Sequence, residues 1–129
     1  IHAIYSSPDG DLAANIDNGK MLFNQLIDQH PDISAVIGIN DLVAIGAMKQ
    51  AEESCYKVPE DISFIGIDGI ELSALVAPPL TTFKSDAETL GKKAFQMLYD
   101  MIENDNITSY NHSLTLIERQ SVANKTNNN

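Results

Sequence analysis

Short apolar runs and longer stretches with helical spacing alternate along this chain, and each kind predicts a different element. A continuous apolar run of a few residues is typical of a strand covered on both faces, whereas apolar residues three and four positions apart are typical of a helix with one buried face. The predicted strands lie at residues 1–5, 33–39, 62–67, 80–84 and 114–117, and the predicted helices at 16–29, 41–54, 71–77 and 87–103.

Strands that alternate with helices predict an α/β fold, here a three-layer α/β/α arrangement with a parallel sheet between helices. Pro31 ends the first helix because the residue before a proline disfavours helical geometry. Either Asn40 or Asp41 caps the second helix, and we assign the cap to Asp41. Apolar residues recur along 87–103 at helical spacing, which predicts that one face of this helix is buried.

Polar residues follow two of the predicted strands. Asn40 comes after the second strand and Asp68 after the third. Open α/β sheets bind ligands in the crevice beyond the carboxyl ends of their strands, so both side chains are predicted to line one ligand site. The alternatives are local: Asp68 precedes Gly69 and fits a turn, and Asn40 fits a helix cap.

Length and charge narrow the class of protein. The chain has 129 residues and is 43% hydrophobic, which fits one compact domain. Its net charge of −10 repels phosphate backbones, so any contact with DNA is expected from residues outside this sequence. The first residue, Ile1, stands within an apolar run, and we interpret the chain as a piece of a longer protein. No apolar run is long enough to cross a membrane, and we expect a cytoplasmic location.

Residue patterns for catalysis or metal binding are lacking in the sequence. Cys55 is the only cysteine and has no histidine near it, so we interpret it as a structural or neutral thiol and not a nucleophile. His2, His30 and His112 do not have the short spacings of metal ligands. With no paired nucleophile and base and no phosphate-binding glycine loop, we predict no enzyme activity, no metal and no cofactor.

Five blocks of sequence, in this order, resemble a known family. They are INDLVAIGA at 39–47, VPEDIS at 58–63, IGID at 65–68, PPLTT at 78–82 and LIERQS at 116–121. Together they resemble the effector-binding core of the LacI/GalR family, the lactose- and purine-repressor-type transcription regulators, whose fold is like that of periplasmic binding proteins.

The resemblance implies an organisation of domains. Residues 1–123 would be the carboxy-terminal effector-binding and dimerisation lobe, with the helix 87–103 crossing over to pack on a second lobe. The two lobes would clamp a small effector, a sugar or a purine, and a separate helix-turn-helix domain, absent from this chain, would bind operator DNA. Residues 124–129 have nothing apolar to bury and are expected to form a disordered tail.

The resemblance also implies residue roles. Ser85 falls where family members often place a polar effector contact, beside the predicted contacts Asn40 and Asp68. Family members form homodimers through surfaces that correspond to Met48, Leu72, Leu75 and Val76; the alternative for these four residues is the core of this chain.

The sequence therefore predicts the effector-binding part of a LacI-type regulator that senses a sugar or related metabolite. Besides a small doubly wound enzyme, such as a hydrolase, the rival interpretation is one lobe of a transport-type periplasmic sugar-binding protein. The two differ in what precedes residue 1: a basic helix-turn-helix in a regulator, or an apolar leader in a transport protein.

Overall fold

A computed structural model describes residues 14–124, which form four helices and four strands. The predicted strand at 1–5 and residues 125–129 of the predicted tail lie outside the described residues. The helices are α1 (Ile16–Gln29), α2 (Asp41–Glu53), α3 (Leu72–Leu75) and α4 (Ala87–Asn104), and the strands are β1 (Ala35–Ile37), β2 (Ser63–Asp68), β3 (Thr81–Lys84) and β4 (Thr115–Ile117). Each begins and ends within two residues of its predicted bounds.

Polar side chains determine where the helices begin. The Asn15 side chain accepts a hydrogen bond from the Asn18 amide and caps α1, and the Asp86 side chain accepts from the Thr89 amide and caps α4. These bonds satisfy amide groups that have no partner within the first turn of a helix. Helix α1 ends at Gln29, just before His30 and Pro31, as predicted.

The strands form one sheet in the order β1-β2-β3-β4. Strands β1, β2 and β3 are parallel, and β4 is antiparallel to β3. The predicted α/β fold with a mainly parallel sheet is therefore confirmed, with one antiparallel strand at the edge. The carboxyl ends of β1, β2 and β3 all lie along the same end of the sheet, which is called its carboxyl edge below and is distinct from the outer strand β4.

The path of the chain around α4 explains the antiparallel strand. β3 ends at the carboxyl edge with Lys84, and β4 begins with Thr115 directly opposite Lys84. The chain therefore leaves the sheet and returns to it at one point, so β4 must run back along β3. The intervening segment, residues 85–114, forms an excursion that starts and ends at the carboxyl edge and contains α4.

Helices α1 and α2 pack against each other and against one face of the sheet. Phe23 of α1 contacts Phe64 of β2, with ring centroids 6.1 Å apart. The two helices approach closely because Gly19 faces the Val43 carbonyl and Gly46 faces the Ile16 carbonyl, leaving no room for a Cβ atom. The buried cluster comprises Phe23, Ala44, Ile45, Ala47, Met48, Ala51, Ile62, Phe64 and Leu80.

The other face of β1 is less covered than predicted. Helices were expected on both faces, but α1 and α2 both pack on the face that carries Phe64. Ile37 and Ile39 are 71% and 74% exposed, and a groove of about 290 Å³ runs along β1 and residues 122–124. The apolar run at 33–39 thus reflects two apolar faces, of which the described residues cover one.

Helix α4 differs from its prediction in the same way. One of its faces was expected to be buried, but none of its residues is buried among the described residues. Phe95 is 70% exposed, and Gly91 has no atom within 4 Å of the position a Cβ would take. The apolar face exists, as the spacing indicated, but residues 14–124 do not supply the surface that covers it.

Candidate functional site

The predicted site residues lie at the carboxyl edge of the three parallel strands. Ile37 pairs with Ile65, an offset of 65 − 37 = 28 positions, and 68 − 40 is the same offset, so the register places Asn40 level with Asp68. Asp68 in turn pairs with Lys84, the residue before Ser85. Asn40, Asp68 and Ser85 therefore follow neighbouring strands at one edge, as expected for a crevice in an α/β fold.

Of the three residues, Asp68 has the side chain that is most accessible to a ligand. It is the last residue of β2, it is exposed, and its carboxylate makes no hydrogen bond or ion pair with another residue in the range 14–124. Its backbone φ of 115° lies in a region that residues with a Cβ atom rarely adopt, and Gly69 follows with φ 70°. The chain thus turns sharply after β2 while the carboxylate stays at the rim.

Asn40 is the cap of α2. Its Oδ1 accepts from the Val43 amide at 2.9 Å, and its Nδ2 donates to the Ala14 carbonyl at 3.2 Å. The local alternative for Asn40 is therefore observed. An amide has a second hydrogen and a second lone pair, so contact with a ligand remains a prediction for this half-buried side chain.

Asp41 was expected to cap α2, and this prediction is wrong. With Asn40 in the cap position, Asp41 becomes the first helical residue and its side chain turns inward, fully buried. Its carboxylate accepts from the Ile70 amide at 2.8 Å and from the Thr82 hydroxyl. Gly66 of β2 makes this possible, because a Cβ there would collide with Asp41 Oδ1.

Ser85 is half-buried between β3 and α4, where the excursion begins. It follows β3 at the same end of the sheet as Asp68, and its contact with an effector stays a prediction. Asp86, its neighbour, is engaged in capping α4: its carboxylate accepts from the Thr89 amide at 3.1 Å and from the Thr89 hydroxyl at 2.7 Å. Two hydrogen bonds hold the pKa of Asp86 below the ordinary value for an aspartate: the one from the Thr89 hydroxyl has the larger effect, and the one from the Thr89 amide has the second largest.

The four residues of the predicted dimer surface do not share one environment. Met48 is 2% exposed and belongs to the core, so its assignment to a dimer surface is wrong and the core alternative holds. Val76 is half-buried and packs against that core. Leu72 and Leu75 of α3 are exposed, Leu75 at 73%, and for these two the dimer surface stays a prediction.

Arg119 is a structural residue whose role was not predicted. Its guanidinium Nη1 donates to the Ser73 hydroxyl at 2.9 Å and to the Leu80 carbonyl, and its amide donates to Thr81 Oγ1 at 2.9 Å. It therefore fixes α3 against the start of β3. The block LIERQS indicated that this segment matters, but the partners lie 38 to 46 positions away and no local pattern reveals them.

The described residues contain neither a cluster of metal-binding side chains nor a helix that could span a membrane. Between residues 14 and 124, no group of three or more His, Cys, Asp or Glu side chains could hold a metal ion. Cys55 is exposed and carries a positive φ of 68° at the end of α2. Within the same range, no helix has the length and apolar character that spanning a bilayer requires.

A family model described as the periplasmic binding protein-like domain matches residues 2–122. The chain belongs to this family. The match covers nearly all of the sequence, including every element of the sheet and the three residues at its carboxyl edge.

Relatives of this periplasmic binding protein-like domain include transcriptional repressors. This chain is 38% identical over 87 residues to the HTH-type transcriptional repressor PurR of Vibrio atlanticus (strain LGP32). The aligned region covers 67% of this chain and 26% of the relative. A second comparison is with the structure of a transcriptional regulator CelR-cellobiose complex: 27% identity and a TM-score of 0.76, covering 83% of this chain and 33% of that one. The structure of a LacI family transcriptional regulator from Enterococcus faecium with bound ribose is 27% identical to this chain, with a TM-score of 0.70. The match covers 84% of this chain and 41% of that one.

The resemblance to LacI-type regulators is therefore confirmed. The relatives are transcriptional repressors, which favours the regulator over a transport-type binding protein and over an enzyme. The chain spans about a quarter of the length of the curated relative described above.

Proposed function

We propose that this domain supplies one wall of an effector site in a LacI-type transcription regulator, with Asp68 as its main polar contact. The observation that carries the proposal is the exposed Asp68 carboxylate, unpaired within residues 14–124, at the carboxyl edge of a parallel sheet. Asn40 and Ser85 stand beyond the neighbouring strands at this edge. The exposed carboxylate of Asp68 is free to accept hydrogen bonds from a ligand, and once a ligand covers it those bonds would replace the ones it now makes with water.

The chemistry of this edge favours a polyol or a related polar metabolite. An ionised carboxylate accepts hydrogen bonds from two adjacent hydroxyl groups, and an amide and a hydroxyl can each donate and accept. Two of the structures compared above contain a sugar, cellobiose or ribose. We therefore propose a sugar as the first class of effector to test and a purine as the second.

The site is proposed to close against a second lobe. Small-molecule sites enclose most of their ligand, and a single sheet edge cannot do so. The excursion through α4 leaves from this same edge and presents an apolar face that residues 14–124 do not cover. A second lobe that packs on α4 would stand opposite Asp68 and complete the cleft.

Regulation would follow from the angle between the lobes. An effector that binds one angle better than another shifts the population towards it, by no more than its difference in affinity for the two states. Because this domain is strongly acidic, operator DNA would be contacted by a separate basic domain. A regulator of this kind acts where the operator is, so the cytoplasmic location also remains part of the proposal.

The decisive experiment removes the carboxylate without straining the backbone. In the full-length protein that contains this chain, Asp68→Gly keeps a residue that tolerates the positive φ, and Asp105→Gly is a matched control. Asp105 is also exposed and also has a positive φ, 49°, but it lies at the far end of α4. Binding of D-ribose, cellobiose and adenine would be measured by isothermal titration calorimetry.

We expect Asp68→Gly to weaken the best of these ligands by at least about tenfold, since a hydrogen bond to a charged group contributes about 1.5–3 kcal/mol. Asp105→Gly should leave the affinity unchanged. Equal affinities in wild type and Asp68→Gly would refute the role of Asp68 in the site.

A homodimer through α3 is the second part of the proposal. Leu72 and Leu75 lie on the surface of a helix of only four residues, and an exposed apolar patch of this kind is typical of an interface. Leu75→Glu should shift the protein from dimer to monomer in analytical ultracentrifugation, because the same charge would enter the contact twice in a two-fold interface. Ile107→Glu, an equally exposed site in the excursion, is the control; an unchanged dimer in Leu75→Glu would place the interface elsewhere.

A further inference from the structure

The turn that carries Asp68 needs support from outside itself. Asp68 and Gly69 both have positive φ angles, 115° and 70°. For a residue with a Cβ atom such a conformation is unfavourable and persists only where the surrounding structure holds it in place. Two residues in a row adopt this geometry where β2 ends.

Two buried side chains supply that support. The Gly69 amide donates to Thr82 Oγ1 at 3.3 Å, and the Ile70 amide donates to Asp41 Oδ2 at 2.8 Å. The two acceptors are joined, because the Thr82 hydroxyl donates to Asp41 Oδ1 at 2.5 Å. Thr82 and Asp41 are both 0% exposed.

The arrangement links the three strands that form the edge. Asp41 follows β1, the turn follows β2, and Thr82 lies in β3. Asp41 and Thr82 do not bond to the side chain of Asp68; they hold the two backbone amides that immediately follow it. The carboxylate of Asp68 is thereby left without a partner in residues 14–124, while its backbone is held from two directions.

We propose that Asp41 and Thr82 are positioning residues of the effector site: together they hold the backbone of Asp68 in its positive-φ conformation and so aim its carboxylate into the crevice. This inference rests on the proposed function of Asp68. It goes beyond it by assigning a role in ligand affinity to two side chains that, being fully buried, have no surface with which to contact the ligand.

The test is a set of substitutions within one strand of the full-length protein. Thr82→Val removes the hydroxyl at nearly constant shape, and Thr82→Ser keeps it. Thr81→Val is the matched control, because Thr81 is the adjacent residue, is 2% exposed, and its hydroxyl accepts from the Arg119 amide and not from the turn. Asp41→Asn is a milder second variant, in which a neutral amide replaces a charged acceptor of the Ile70 amide.

The first measurement needs no ligand. Amide hydrogen exchange at Gly69 and Ile70, measured relative to the amides of β2, should be at least about tenfold faster in Thr82→Val than in Thr81→Val. The reason is that the turn must open for exchange to occur, and without the Thr82 hydroxyl fewer hydrogen bonds have to break for it to open. The exchange rates in Thr82→Ser should match those of the wild type to within about threefold, and Asp41→Asn should accelerate exchange of the Ile70 amide. Should Thr82→Val fail to fold, the exchange of Ile70 in Asp41→Asn decides the question.

The second measurement is the affinity for whichever of D-ribose, cellobiose and adenine the wild type binds best. Thr82→Val should lower this affinity by at least about tenfold, and Thr82→Ser should have the affinity of the wild type. Thr81→Val should lower the melting temperature without changing the affinity. A purely structural role for Thr82 would make the two valine variants alike in both measurements, and that result would overturn the proposal. If the wild type binds none of the three probes, the proposed function fails, while the exchange rates still support or overturn the holding of the turn.

Discussion

Helices α2 and α4 both carry apolar residues, but the two helices differ in how far the described residues bury them. Eight residues of α2 are buried, and it packs on both α1 and the sheet. None of the residues of α4 is buried among those described, although α4 is the longer helix and has an apolar face. The difference teaches that an apolar stripe predicts a buried face but does not predict which polypeptide buries it.

The two helices also differ in the hydrogen bonds that the polar residues at their amino ends make. At the start of α2, Asn40 forms the cap and the buried Asp41 reaches β3 and the turn after β2. At the start of α4, Asp86 bonds only within its own first turn, to Thr89. The region around α2 is thus bonded to the sheet through a buried side chain, whereas no residue of α4 is buried among residues 14–124.

The largest expected contrast comes from one substitution made in both regions. Phe64→Ala, at a residue 0% exposed, should lower the free energy of unfolding of the 129-residue chain by about 3–5 kcal/mol, because it removes a ring from a packed core. Phe95→Ala, on the exposed face of α4, should change it by no more than about 0.5 kcal/mol. Urea unfolding followed by circular dichroism measures both.

A comparable loss in the two variants would show that the face of α4 is covered within this chain. The comparison sharpens in a longer protein that also contains a second lobe. There, Phe95→Ala should become costly while the effect of Phe64→Ala stays the same, since only the surroundings of α4 change.

Glycine substitutions test the same contrast at the level of the backbone. Gly46→Ala should destabilise the chain by about 1–3 kcal/mol, because its Cβ would collide with the Ile16 carbonyl and force α1 and α2 apart. Gly91→Ala should stabilise it by about 0.5–1 kcal/mol, because alanine favours a helix and nothing lies within 4 Å of the new Cβ. The midpoints of thermal unfolding should move in opposite directions; a shift in the same direction for both would contradict the open surroundings of Gly91.

Much of the fold follows from local sequence signals. The bounds of α1 depend on Asn15 and Pro31, and the ends of β2 and α4 depend on apolar runs followed by polar residues; all are visible in a short window of sequence. The location of Asp68 at the sheet edge needed only the strand before it and the rule for parallel sheets.

What the sequence did not reveal depends on contacts between distant residues. Asp41 was expected to cap a helix because aspartate favours that position, yet its partners Ile70 and Thr82 lie 29 and 41 positions away. Gly66 carried the available signal, since a glycine inside an apolar strand often marks a close approach by another group. Met48 was ambiguous because a buried stripe on α2 and a dimer surface have the same spacing.

The smallest expected effect is at the cap of α4 and depends on pH. Hydrogen bonds from Thr89 lower the pKa of Asp86 in the folded protein relative to the unfolded chain. The capping stabilisation is therefore complete above the pKa of the unfolded state and is lost as the pH falls through the lower pKa of the folded state. The Thr89 amide donates to this carboxylate, so its NMR chemical shift should titrate with a midpoint below the ordinary value for an aspartate.

Asp86→Asn separates the charge from the cap. Asparagine accepts the same hydrogen bond and does not titrate, so the Thr89 amide shift should stay level over the same pH range while α4 keeps its first turn. The effect should be confined to that turn and to the neighbourhood of His112, because Asp86 bonds to Thr89 and His112 also lowers the pKa of Asp86. If the titration of Asp86 also moved the amide shifts of α2, the two helices would be coupled, and the independence of α4 from the packed region would be wrong.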